Sequence, residues 1–131
     1  MQIKSFLICL LIIVVLDYLF VKKVAYRIYL SELSHFARKD PAEFSPRSGP
    51  ALLVYVLLAG GAVMLAYLSG KSQTALQSLG SGALFGFLVY GFYDMTNFAI
   101  LAKWSFKLSM IDIAWGTMLN AGISLLLHFM M

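Results

Sequence analysis

Four apolar stretches, each close to the length of a membrane-crossing helix, constrain this chain more than any other feature. They run from about Ser5 to Val21, Pro50 to Ser69, Leu79 to Ile100 and Ser109 to Met130. About 20 helical residues, rising ~1.5 Å each, cover the ~30 Å hydrocarbon core of a bilayer. In lipid every backbone N–H and C=O needs a partner within its own segment, so helices are expected and open sheet is not. The expected fold is all-α: a four-helix transmembrane bundle forming a single integral-membrane domain over residues 1–131. Charge content agrees, since only 12% of the residues are charged, against about a quarter in soluble domains.

Local signals refine the boundaries. Pro50 suits the first turn of the second helix and Gly70 the exit from it. The Ser69–Gln73 segment reads as a short polar turn. Between the first two spans, Lys22 to Gly49 is the one substantial extramembrane piece. Its first part reads as an amphipathic segment, with Val24, Ile28, Leu33, Phe36 and Ala37 on one side and Arg27, Glu32, His35 and Arg38 elsewhere. Such a helix either lies at the membrane interface or serves as a solvated connector. Pro41, Pro46 and Pro50 end any helix there. The first apolar run closes on Asp17-Tyr18-Leu19-Phe20-Val21-Lys22-Lys23, not on small residues, so it is expected to stay as an uncleaved helix.

Several function classes are disfavoured. Cys9 is the only cysteine, which removes an intrachain disulfide and any C-x-x-C site. No serine stands in a G-x-S-x-G elbow, and no H-E-x-x-H, Walker or dinucleotide motif occurs. The residues therefore name no catalytic group, cofactor or metal. The net charge of +4 comes from residues flanking apolar spans, which points to membrane orientation and not to nucleic acid. Lys22, Lys23, Arg27, Arg38, Lys39, Arg47, Lys103 and Lys107 lie on one side, with only Lys4 and Lys71 on the other. The positive-inside rule assigns the first side to the cytoplasm and both termini to the outside of a bacterial inner (plasma) membrane.

Three acids carry the functional signal. Asp17 closes the first span, Asp94 lies about six residues before the end of the third, and Asp112 opens the fourth. From the helix rise, each should sit roughly 5–10 Å below the basic boundary. Hydrocarbon cannot solvate a carboxylate, which must there be paired, hydrated or protonated. On the third helix Gly82, Gly86, Tyr90, Tyr93, Asp94 and Asn97 fall within about a third of the circumference. On the fourth, Asp112, Trp115, Gly116, Asn120 and Ile123 share a face. The short hairpin between these helices should bring Asp94 and Asn97 to Asp112 and Trp115. Two carboxylates that close cannot both ionise cheaply, which suits a proton carrier or a hard-cation site. Structural readings stand beside this one. Asp17 can pair with Lys22 or Lys23, and Asp112 can cap its helix, worth about 0.3–1 kcal/mol. His128, near the outer end and remote from the acids, reads as an interfacial residue.

The run Gly86-Phe87-Leu88-Val89-Tyr90-Gly91-Phe92-Tyr93-Asp94-Met95-Thr96-Asn97, then Trp104-Ser105 and Asp112-Ile113-Ala114-Trp115-Gly116-Thr117, resembles a bacterial integral-membrane family catalogued as domain of unknown function 2177. The shared pattern is approximately Y-D-x-T-N, a short hairpin with Trp, then D-x-A-W-G-T, and the length and four-span layout agree over nearly the whole chain. The family often places Trp three residues after the first-helix Asp, where this chain has Phe20. The resemblance implies a four-helix inner-membrane protein and carries over neither substrate nor catalytic residue.

The leading functional expectation is a site for a proton, a cation or a small polar solute, built from Asp17, Tyr93, Asp94, Asn97, Asp112 and Trp115. The alternatives are a membrane assembly or scaffold subunit, and a lipid-modifying enzyme using paired carboxylates. Expected partners are the lipid bilayer and further copies of the chain. A reporter enzyme active only outside the cytoplasm, fused after Met131, should be active in growing cells; a silent fusion with an active cytoplasmic counterpart reverses the orientation.

Overall fold

The computed structural model describes residues 3–33, 48–70 and 73–131. Helix α1 (Ile3–Leu19) runs directly into a π-helical stretch (Phe20–Ala25) and then into α2 (Tyr26–Leu33). Helices α3 (Ser48–Ser69), α4 (Ala75–Ile100) and α5 (Phe106–Met130) follow, and no strand occurs among the described residues. Four runs, Ile3–Val24, Ser48–Ser69, Ala75–Ile100 and Phe106–Met130, are long and apolar enough to cross a membrane. The fold is a four-helix transmembrane bundle. Lys22, Lys23, Arg27, Lys103 and Lys107 mark its basic end. Of the amphipathic segment, Val24 and Arg27 are exposed and Ile28 is half-buried, in a helix continuous with α1. His35, Phe36, Ala37, Arg38, Lys39, Pro41, Pro46 and Arg47 lie outside the described residues, as does Lys71.

Helices α4 and α5 start earlier than their apolar stretches because polar residues nucleate them. Thr74 Oγ1 accepts from the Gln77 N–H at 3.1 Å, and the Gln77 side chain accepts from the Thr74 N–H at 2.9 Å. This reciprocal capping box satisfies two donors that would otherwise lack partners. Ser105 opens α5 by accepting from the Leu108 N–H at 3.0 Å; such caps contribute about 0.5–2 kcal/mol. Gly70 ends the α3 side of its turn with φ 73°, a conformation that a Cβ would strain.

The helices meet along stripes spaced four residues apart, the spacing that aligns side chains on one helix face. On α1 the buried stripe is Ser5, Cys9 and Ile13, with Asp17 one turn further on. Helix α3 answers with Leu58, Ala59, Ala62 and Val63. Helix α5 is the most buried span and offers two ridges. Leu119, Ile123 and Leu127, continued by Trp115, join α1 and α3 in the apolar core. Gly116, Asn120 and Ser124, all buried, form the other. Large apolar residues elsewhere, such as Leu11, Leu57, Phe92 and Met118, are exposed and suit contact with acyl chains.

Glycines set the approach of α4 to α5. A Cβ on Gly82 would strike the Asn120 carbonyl and the Ser124 side chain, and one on Gly86 the Gly116 carbonyl. A Cβ on Gly116 would enter the Tyr90 ring. Small residues at helix crossings allow this closeness, where van der Waals packing substitutes for the hydrophobic drive absent in lipid. Gly86→Val should therefore destabilise the bundle by about 1–3 kcal/mol or more, as overpacked cores do. Gly91→Ala meets nothing within 4 Å and should be neutral. Thermal unfolding in detergent checks both; equal melting temperatures for the two variants contradict the contact.

Candidate functional site

All three aspartates lie at similar distances along their helices from the basic ends of the spans. Asp17 stands seven residues from Val24, Asp94 six from Ile100 and Asp112 six from Phe106. At about 1.5 Å per residue, each is roughly 10 Å inside the basic end of its span. Tyr55, seven residues into α3, joins the same layer.

Asp17 is held by two neutral donors from two other helices. Tyr55 donates its hydroxyl to Oδ2 at 2.6 Å, and Trp115 donates its indole N–H to Oδ1 at 3.0 Å. The indole stacks flat on Phe20, with ring centroids 4.2 Å apart and planes 1° from parallel. Hydrogen bonds to a charged group are worth about 1.5–3 kcal/mol each, so this corner ties α1, α3 and α5 together. The lysine pairing considered for Asp17 is absent: Lys22 donates to the Tyr18 hydroxyl at 3.2 Å and lies over that ring.

Asp94 and Asp112 face one another. Asp94 is 1% exposed, its carboxyl is within hydrogen-bonding reach of the Asp112 carboxyl, and its Oδ2 has no partner. A hydrogen bond between two carboxyl groups needs one of them to carry the proton, since an ionised carboxylate only accepts. Asp112 is no helix cap. Ser105 caps α5, and Asp112 lies almost two turns inside. The hairpin that sets this register is fastened by Trp104, whose indole N–H donates to Ser109 Oγ at 3.0 Å, and by Ser109, which donates to the Ser105 carbonyl at 2.9 Å.

Tyr90 lies near both groups, with Asp17, Asp112, Tyr55 and Asp94 around it. The layer thus holds two contacts, Asp17 with Tyr55 and Trp115, and Asp94 with Asp112, with Tyr90 near both. Two expected members sit differently from the sequence reading. Trp115 serves Asp17, because its indole points along the apolar ridge of α5 toward α1. Tyr93 is 56% exposed, meets Trp104 edge-on with centroids 6.1 Å apart, and shares a hydrogen bond with Asn97. Both therefore stand at the rim beside Asp94. Among the described residues no group of three or more His, Cys, Asp or Glu side chains is placed to hold a metal ion.

Tyr55, Tyr90 and Phe20 were not among the expected site residues. Tyr90 was readable from its place one turn before Asp94. Tyr55 had only its phenol in an apolar run to mark it, and Phe20 was marked only as the residue standing where the family often has Trp.

A family profile described as "Predicted membrane protein (DUF2177)" matches residues 2–128. The chain belongs to this family. The match covers the first three spans, the fourth to within two residues of its end, every residue of the aspartate layer and the α4–α5 hairpin. No curated protein and no solved structure matches the chain.

Removing one donor from Asp17 should be costly because the other cannot satisfy both oxygens. Tyr55→Phe and Trp115→Phe should each destabilise the protein by about 1–3 kcal/mol. Measured by thermal unfolding in lipid nanodiscs, two variants as stable as the parent would show that the corner contributes nothing.

Proposed function

We propose that this protein binds a proton at the Asp94–Asp112 pair and uses it in moving protons, a cation or a small polar solute across the membrane. The observation that carries this reading is a carboxyl group sealed at 1% exposure against a second carboxyl, in a layer where hydrocarbon cannot solvate charge. Acids this close share protons and titrate as a unit. A proton answers the pair with no further ligand, and the described residues supply no set of three or more His, Cys, Asp or Glu ligands for a metal ion. With the basic end in the cytoplasm, as the positive-inside rule assigns, the pair lies on the cytoplasmic side of the bundle, beneath the Tyr93–Asn97 rim. Asp17 and Trp115 act as positioning residues that fix the surrounding dipoles. A lipid-modifying role fits less well, since a general acid for headgroup chemistry has to reach its substrate and Asp94 is covered.

Infrared difference spectroscopy on vesicle-reconstituted protein tests the proton directly. A protonated-carboxyl carbonyl band should vanish as pH rises and be absent from Asp94→Asn, with helix content unchanged. A wild-type protein lacking the band, or an Asp94→Asn variant retaining it in full, rules the assignment out.

A further inference from the structure

Two buried polar atoms among the described residues have no partner, Asp94 Oδ2 and Asn120 Oδ1, and both lie on the α4–α5 contact. Asn120 is 1% exposed and near mid-membrane, its amide N–H donating to the Gly116 carbonyl at 2.8 Å while its own oxygen stays unmet. The residues around it form a register. Helix α4 presents Ser78, Gly82, Gly86, Tyr90 and Asp94, each four residues after the last, and α5 presents Asp112, Gly116, Asn120, Ser124 and His128 at the same spacing. The helices run antiparallel, so glycine on one faces a polar side chain on the other. The Tyr90 ring lies where a Gly116 side chain would be, Asn120 lies at Gly86, and Ser124 lies at Gly82. At the end away from the aspartates, Ser78 Oγ is 3.1 Å from His128 Nδ1 and donates to Gln73 Oε1 at 3.3 Å.

We infer that this seam is a transmembrane proton path, with the His128–Ser78 pair as its terminus on the face opposite Asp94 and Asp112. The inference rests on the proton-binding reading above and extends it to a second site and a route. Interleaving leaves one file of hydrogen-bonding side chains, Asp94 and Asp112, Tyr90, Asn120, Ser124, Ser78 and His128. Successive positions on one helix stand about 6 Å apart along the axis, close to the ~5.5 Å that two hydrogen bonds through one water span. The Asn120 oxygen, without a partner among the described residues, is the acceptor on this file left open to a bridging water. Hydroxyls at Tyr90, Ser124 and Ser78 each take a proton on one lone pair and release another. One proton enters at the His128 ring and one leaves from the carboxyl pair, and no group is oxidised or reduced. The groups facing His128 among the described residues are Ser78, with Gln73 beyond it, and Phe129. Those facing Asp94 are Asp112, Tyr90 and Tyr93, with Asp17 across Tyr90.

The test uses full-length protein in vesicles loaded with a pH-sensitive dye, driven by a potassium diffusion potential. Wild-type protein should acidify or alkalinise the lumen well above protein-free vesicles. Asn120→Leu and His128→Gln should each slow this at least ten-fold while keeping the Asp94-dependent infrared band. Ser124→Ala, which removes one hydroxyl and little volume, should slow it measurably if Asn120→Leu fails to fold. Flux unchanged in His128→Gln and Ser124→Ala, or no wild-type flux, with the band present, overturns the path and leaves the carboxyl site standing. Loss of the band from wild-type protein overturns both.

Discussion

Where Gly82, Gly86 and Gly116 bring the backbones of α4 and α5 together, the side chains next to them have few directions left. Tyr90, Asn120 and Ser124 are pressed into the spaces the glycines vacate. Asp94 and Asp112 are carried into contact at the basic end of the same seam. Lipid supplies no hydrophobic drive for this association, so the tight fit itself has to hold the pair. A bulkier residue at any of the three glycines would separate the helices and move the two acids apart with them.

The three aspartates meet the same problem in two ways. Asp17 receives a phenol and an indole N–H from α3 and α5, donors that stabilise a charge without a counterion. Asp94 receives another acid, an arrangement that holds together only with a proton in it. Tyr90 touches the field of both. The layer thus places a carboxyl group held by two neutral donors beside a pair of carboxyl groups that meet each other.

Much of this was legible in the residues because membrane thickness leaves little freedom. Four spans of the right length dictate four helices, and counting along them puts the acids at a common depth. The α4 stripe was readable too, since glycines and polar residues at four-residue spacing stand out against Leu and Phe. The partners on α1 and α3 were not readable. Both helices are apolar on all sides, so no face is marked as inward, and nothing selects Tyr55 as the residue that finds Asp17. Helix starts were missed for a related reason: hydropathy sees Leu79 and Ser109, whereas Thr74 and Ser105 begin the helices by satisfying N–H groups.

The π stretch at Phe20–Ala25 gives α1 a mechanical property that a loop there would not. The backbone stays helical from Ile3 to Leu33, so the surface-exposed residues Lys22, Lys23 and Arg27 are rigidly geared to the membrane-embedded part. Wider π turns are strained relative to α turns and can pass a residue along the helix, rotating the segment beyond them by about 100°. Phe20, the first residue of that stretch, stacks on the Trp115 ring whose N–H is bonded to Asp17. The basic residues at the end of the bundle and the carboxylate that Tyr55 and Trp115 hold therefore share one unbroken helical backbone.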